Sequence, residues 1–299
     1  MIEILDKGFF TLAVSGERRC LERFGVPSAG PLDRCRCLLA NRLVGNPDNA
    51  GALEAVMTVP RLRFLDSRSF ALTGGPCGPR LLRNGQELPV PMGEAVLAQT
   101  GDELTGDLLQ AGSRVYLAVS GGIEDASGQP VCPGDRLKLG EGTAPALRRM
   151  TADPLALPGQ EAVLRVTEGV HAGHFSPEGL AAFYQGPYVC SPQSDRMGIR
   201  FSGEAAAFAP GRDGNILSEG MLPGDIQVTS VGQPILMLEA CQTVGGYAKI
   251  AHVITADLSA AAQLRPGAAV RFRLVSLPEA QAAWRKLWYK MSCCIEDQT

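Results

Sequence analysis

One glycine-rich turn concentrates side chains that could bind a small polar molecule. It spans residues 242–250, Gln-Thr-Val-Gly-Gly-Tyr-Ala-Lys-Ile, and follows an apolar run. Paired glycines let the backbone pass close to a ligand, and amide, hydroxyl, phenol and ammonium groups converge on one turn. A plain hairpin would explain the glycines but not the polar groups. The turn therefore predicts a binding site, with the candidates Gln242, Thr243, Gly245, Gly246, Tyr247 and Lys249.

A second candidate site is the segment 194–198, Ser-Asp-Arg-Met-Gly, in which adjacent opposite charges interrupt a strand-like region. The guanidinium of Arg196 is a planar pair of donors that fits a carboxylate or a phosphate. A surface turn would use aspartate and glycine in the same way, so both interpretations stay open. The candidates are Ser194, Asp195 and Arg196.

A third candidate is the segment 25–33, which contains two glycines and two prolines and leads into a predicted helix. Backbone amides at the start of a helix can hold an anion. Ser28, Gly30 and Asp33 could equally serve only to cap the helix. Asp33 joins the candidates on the first interpretation.

The motifs of several enzyme classes are absent from the sequence. It has neither the glycine-rich loop with lysine that cradles nucleotide phosphates nor the Gly-x-Ser-x-Gly turn of serine hydrolases. His171 and His174 have no third ligand at a metalloenzyme spacing, so we expect them in a solvated loop. The nine cysteines lack paired Cys-x-x-Cys spacing, which predicts reduced thiols and no metal site.

Composition excludes other functions. A hydrophobic fraction of 45% with 20% charged residues is typical of a globular protein. The net charge of -3 and the pI near 5.7 provide no attraction for nucleic acid or anionic lipid. No apolar run approaches the roughly 20 residues of a membrane span, and the N-terminus does not resemble a signal peptide. We expect a cytoplasmic protein without nucleic-acid or membrane partners.

The elements that must position these residues are mostly strands. Short apolar runs between glycines and prolines predict a mainly β fold, with strands at 61–65, 69–72, 115–119, 162–166 and 234–238. Three helices are also predicted, at Pro31–Val44, from Asp257 or Ser259 through Leu264, and from Pro278 to about Tyr289.

The segment Leu147–Gln160 is rich in alanine and proline and is the plausible linker. It predicts two domains, 1–155 and 156–299. Each half carries strands, one strong helix and a glycine-rich turn, which hints at an ancient duplication.

Many ordered segments together resemble the allophanate hydrolase subunit 2 family, also called the biotin-dependent carboxyltransferase family. The resemblance covers nearly the whole chain. The matching segments are 30–33, 39–46, 52–54, 71–74, 116–123 and 133–137 in the first half, and 194–200, 218–220, 226–228, 233–235 and 242–247 in the second.

This resemblance implies two tandem cyclophilin-like β-barrel domains with a few short helices. It also implies a subunit that, with a subunit 1 (KipI-like) protein and a LamB/YcsF-type protein, uses ATP to open 5-oxoproline to glutamate. ATP then acts at the level of the complex. Related domains in urea carboxylase move a carboxyl group from biotin, which makes biotin a candidate cofactor, and other members regulate a sporulation kinase through its inhibitor.

The resemblance assigns catalytic roles to Asp195, Arg196 and Lys249. A small carboxylate or lactam substrate would be bound by Ser194, Gln227, Gln242, Thr243, Gly245, Gly246, Tyr247, Asp33 and Asn41. Two hypotheses stay open: a subunit of a 5-oxoprolinase-type amidohydrolase complex, active only in that complex, or a non-catalytic regulatory or scaffold partner of a subunit 1 protein. An acidic residue missing before Gln242 and a short connection from Ile123 to Asp135, where relatives have a longer polar segment, favour the second. Arg196, Tyr247 and Lys249 are retained, which favours the first, and we expect the enzyme subunit.

Overall fold

The computed structural model describes residues 1–16, 22–26, 30–142 and 147–298. Strands dominate these ranges, so the prediction of a mainly β fold is confirmed. The strands are β1 Ile2–Asp6, β2 Phe10–Val14, β3 Ala52–Val56, β4 Arg61–Phe64, β5 Arg68–Gly74, β6 Arg80–Arg83, β7 Gln86–Pro89, β8 Ala95–Ala98, β9 Glu103–Thr105, β10 Arg114–Val119, β11 Arg136–Leu137, β12 Arg148–Met150, β13 Glu161–Glu168, β14 Tyr188–Cys190, β15 Gly198–Ser202, β16 Asn215–Gly220, β17 Asp225–Val228, β18 Pro234–Met237, β19 Val244–Tyr247, β20 Lys249–Val253, β21 Ala269–Leu274 and β22 Ile295–Asp297.

Helices connect these strands at α1 Arg34–Leu43, α2 Pro177–Gln185, α3 Leu258–Ala262 and α4 Leu277–Cys293. Helix α1 begins three residues later than predicted because Asp33 caps it, accepting the N–H of Arg36 at 3.2 Å. The third predicted segment forms α4, which is longer than expected. A 3₁₀ turn, Thr255–Asp257, precedes α3 and shortens it.

Sequence reasoning missed α2, although its start signals are present. The hydroxyl of Ser176 accepts the N–H of Gly179 at 3.1 Å, and Pro177 occupies the first helical turn.

The described chain divides into two compact units. The first contains the described residues of Met1–Arg18, Ala29–Leu157 and Tyr289–Thr299, and the second those of Arg19–Ser28 and Pro158–Trp288. The division at Leu157 falls inside the predicted linker, but part of that linker is strand β12. Because β12 pairs with β22, the described residues from 289 to 298 belong to the first unit rather than to the predicted second domain of 156–299.

The first unit packs two sheets around one core. Their strand orders are β11-β1-β4-β9-β6-β7 and β2-β3-β10-β5-β8. Strand β10 is buried on both faces: Leu117 joins the core between the sheets, while Tyr116 packs in a second cluster with Leu43 of helix α1. Burial on both faces explains why this strand reads as an unbroken apolar run.

The second unit contains a closed seven-stranded barrel in the order β13-β20-β17-β18-β15-β14-β21. Buried aromatic rings of β14, β15, β21 and α2 pack against each other, and Phe183 and Phe272 stack with centroids 4.7 Å apart. Strands β16 and β19 form a separate two-stranded ribbon. No helix of the described residues is long and apolar enough to cross a membrane.

Candidate functional site

A buried lysine is the centre of a polar cluster in the second unit. The Nζ atom of Lys249 lies 2.8 Å from Oε1 of Glu219, 3.3 Å from Oδ2 of Asp225 and 2.6 Å from the carbonyl oxygen of Gly220. Only 9% of the Lys249 side chain is exposed. The ammonium is therefore enclosed by oxygen acceptors.

A β-bulge brings the side chains around Lys249 to the same face of the sheet. In the antiparallel pair of β17 and β20, Asp225 lies opposite His252 and Gln227 opposite Lys249, with a register shift between the two pairs. Residues three apart on a regular strand face opposite sides, but one extra residue restores a common side. Lys249 and His252 can thus both reach Asp225, whose Oδ1 lies 2.8 Å from Nδ1 of His252.

Charge pairing keeps the cluster ionised. Burial alone would lower the pKa of Lys249, but the hydrogen bond to Glu219 and the charge of Asp225 outweigh burial and raise it. Burial would raise the pKa of Asp225, but His252, the N–H of Leu222 and Lys249 together lower it. The hydrogen bond from Lys249 also lowers the pKa of Glu219. Lys249 is hence a cation at neutral pH and serves as a donor rather than a base.

The ribbon approaches this cluster closely at a glycine. A Cβ atom on Gly245 would lie 2.5 Å from Nε2 of Gln227 and 2.9 Å from the sulfur of Met221. Gln227 is buried and donates to that sulfur at 3.2 Å. Tyr247, at the end of the ribbon, is 37% exposed.

Gln242, Thr243 and Gly246 lie in the segment that leads into and forms the ribbon, and all three are half-buried. The carbonyl of Thr243 accepts the N–H of Met221 at 2.9 Å. The structure thus brings Lys249, Gln227, Gly245 and their neighbours together.

The two remaining histidines of the sequence are not in a solvated loop. His171 precedes the 3₁₀ turn Ala172–His174 and His174 ends it; both are half-buried, and their ring centroids lie 5.2 Å apart. Nδ1 of His171 accepts the backbone N–H of Lys249 at 3.3 Å. His171 therefore positions the strand that carries the lysine. The described residues contain no group of three or more metal-ligating side chains.

Cys241 lies beside the cluster and packs against Met221 and Met237. Burial, with the charge of Asp225, raises the pKa of its thiol to about 11. Because the thiolate is the reactive form, Cys241 is not an activated nucleophile at neutral pH.

The segment 194–198 is a turn between β14 and β15. Oδ1 of Asp195 accepts the N–H groups of Met197 and Gly198 at 2.8 and 3.2 Å, and the hydroxyl of Ser194 accepts the N–H of Arg200 at 3.1 Å. The half-buried Arg196 accepts the N–H of Ala240 through its carbonyl at 3.3 Å. Asp195 and Ser194 thus shape the turn, which adjoins the residues leading to Gln242.

Asp33 and Asn41 lie in the first unit, within a hydrogen-bonded interior. Asp33 is fully buried and caps α1, and its N–H donates to the hydroxyl of Tyr116 at 2.7 Å. Asn41 donates to the carbonyl of Ala50 at 3.0 Å and accepts from Asn46 at 3.0 Å. Neither residue joins the Lys249 cluster. Residues 27–29 of the predicted anion site lie outside the described residues.

The first unit has a cleft of about 570 Å³. Asn46 accepts the N–H of Gly121 at 2.9 Å and so positions the turn that lines it. The lining includes Ser15, Asn49 and residues 121–126. The short connection from Ile123 to Asp135 thus starts at the wall of this cleft.

Sequence reasoning did not select Glu219, Asp225 or His252. The sequence contains a local pattern that points to Asp225, because the tripeptide Pro-Gly-Asp occurs at 133–135 and again at 223–225. Both aspartates accept the N–H three residues earlier, at 2.7 and 3.0 Å. Glu219 falls within the matching segment 218–220 but was not selected, and His252 meets Asp225 only because β20 pairs with β17.

The fold agrees with comparisons to known proteins. The model of the carboxyltransferase domain, subdomain A and B, matches residues 24–127 and 125–274, so the chain belongs to that family. It is 33% identical to the C subunit of the Escherichia coli 5-oxoprolinase, over 95% of this chain and 94% of that protein. It is 31% identical to the protein of the same name from Haemophilus influenzae, over 96% and 95%.

A solved structure, the urea carboxylase of Kluyveromyces lactis, superposes with a TM-score of 0.88 at 25% identity. The superposition covers 97% of this chain but 29% of that one.

Proposed function

We propose that this chain is the C subunit of an ATP-dependent 5-oxoprolinase-type complex, which adds water across the lactam bond of 5-oxoproline to release glutamate. The similarity to two proteins named as C subunits of 5-oxoprolinase, along almost their full lengths, supports the reaction. The observation that carries the proposal is the buried, protonated Lys249.

The chemistry of Lys249 fits this substrate. 5-Oxoproline carries a carboxylate next to its lactam ring, and Lys249 would bind that carboxylate and so hold the lactam carbonyl in position for attack by water. A charge-assisted hydrogen bond from a preorganised ammonium is strong and fixes the position of the ring. Tyr247 and Arg196 would orient the substrate, because a phenol and a planar guanidinium add directional donors.

ATP would be used through the partners. The chain has no phosphate-binding loop, so we place nucleotide binding on a subunit 1 protein or a LamB/YcsF-type protein. The purified chain alone should neither hydrolyse ATP nor open 5-oxoproline. Robust ATP hydrolysis by this protein alone would refute that assignment.

The test is reconstitution with both partners, measuring glutamate formed from 5-oxoproline and ATP. Lys249→Met should lower the rate by at least about 100-fold, the scale of misplacing the reacting group by about 1 Å. Lys286→Met, an exposed lysine of the same unit, is the matched control and should leave the rate unchanged. Equal rates for the two variants would remove Lys249 from the mechanism.

Biotin-dependent carboxyl transfer is the second candidate, favoured by the superposition on urea carboxylase. Carboxylated biotin offered to the complex distinguishes the two. Transfer of its carboxyl group to an acceptor, without glutamate formation, would support the second candidate. A complex that assembles but does neither would support a non-catalytic partner.

A further inference from the structure

All the protons on the Lys249 ammonium are engaged. An ammonium has three N–H donors, and the described residues supply three acceptors, from Glu219, Asp225 and the carbonyl of Gly220. A ligand cannot receive a hydrogen bond from Nζ unless one of these contacts breaks. The arrangement of the acceptors decides which one.

Two of the acceptors are held in place. The Gly220 oxygen belongs to the backbone of β16. The side chain of Asp225 is 9% exposed and is fixed by the N–H of Leu222 at 3.0 Å and by His252 at 2.8 Å. Moving Asp225 would break these contacts as well as the one to Lys249.

Glu219 is held far less firmly. Its side chain is 40% exposed, and Lys249 is its one hydrogen-bond partner among the described residues; His171 lies 3.9 Å away. Rotation of this one side chain would free a donor on Lys249.

We infer that the Glu219 carboxylate occupies the subsite in which Lys249 binds a small carboxylate ligand, and that ligand and side chain compete for it. Because the two groups are chemically the same, the incoming carboxylate restores the contact that Glu219 gives up. The choice of 5-oxoproline as ligand rests on the proposed function; the competition itself does not.

Calorimetric titration of the full-length chain with sodium acetate and with 5-oxoproline tests this inference. A tethered competitor acts at an effective concentration of millimolar or more, so Glu219→Gln should tighten binding by at least about tenfold. Glu219→Asp keeps the charge but shortens the arm by one methylene, and should also tighten binding. Glu161→Gln, an exposed glutamate of the same unit, should leave affinity unchanged.

Lys249→Met should abolish binding of both ligands, whether position 219 is glutamate, glutamine or aspartate. If that variant does not fold, a shift of the Lys249 side-chain NMR signals of the wild-type chain on addition of acetate, with no shift for Lys286, gives the same information. Unchanged affinity in Glu219→Gln would overturn the competition. Tighter binding in Glu219→Gln but not in Glu219→Asp would also overturn it, because the loss of the negative charge alone would then explain the tighter binding. Failure of the reconstituted complex to open 5-oxoproline would refute the proposed function while leaving the acetate result intact.

Discussion

Replacing Asp225 with asparagine removes the charge that joins strands β17 and β20. The carboxylate accepts from Leu222 at 3.0 Å and pairs with His252 at 2.8 Å and Lys249 at 3.3 Å. A hydrogen bond to a charged group contributes about 1.5–3 kcal/mol. The Lys249 contact is long, and losing a buried carboxylate relieves its desolvation cost. We therefore expect Asp225→Asn to lower the free energy of unfolding of the second unit by about 2–4 kcal/mol.

The loss should depend on pH in a defined direction. The pKa of Asp225 is lowered in the folded protein, so its stabilisation is fully present above the unfolded value of about 3.9 and is lost as pH falls through the folded value. The difference between wild type and variant should be complete at about pH 7.5 and should shrink below about pH 4.

Hydrogen-exchange mass spectrometry in graded urea measures this free energy for peptides of β17 and β20. Asp213→Asn is the control, since Asp213 is exposed and bonds only to Asn215 among the described residues. It should leave those peptides unchanged. A loss below about 0.5 kcal/mol for Asp225→Asn, or one that does not vary with pH, would refute the reasoning.

Three further outcomes are expected in the reconstituted complex. Arg196→Lys should reduce kcat/KM at least about tenfold with the fold intact, because lysine lacks the planar pair of donors; activity within about threefold of wild type would make Arg196 structural. Gly245→Ala should lower turnover because its Cβ would displace the amide of Gln227, while Gly246→Ala, whose Cβ would lie 3.4 Å or more from its neighbours, should be tolerated; equal activities would contradict the close approach. Grafting a relative's longer segment between residues 123 and 135 should raise turnover, measured as glutamate release, and no gain would show that the segment is dispensable.

Much of the fold was predictable because its signals are local. The strand predicted at 115–119 is β10, and the one at 234–238 is β18. Helix α1 was recognisable from its apolar stripe and from Asp33, whose capping contact lies within one turn. The pairing of β12 with β22 was not predictable, because the partners are distant in sequence and both are short.

The candidate site was predictable in part. Lys249, Gln227 and Gly245 were selected, and they do lie together. Asp33 and Asn41 also match the family segments, but they bond within the first unit. A motif shows that a residue is unusual, yet it does not distinguish a residue that binds a ligand from one that holds a turn.

The sequence by itself determined the family, the mainly β class and the turn that carries Lys249, because composition, alternation and motif order are properties of the chain alone. Only the tertiary structure decided what surrounds that lysine. The bulge between β17 and β20 places Asp225 and His252 on its side, and the separate ribbon delivers Glu219. These contacts depend on register, and register is set by the packing of the whole barrel rather than by neighbours along the chain.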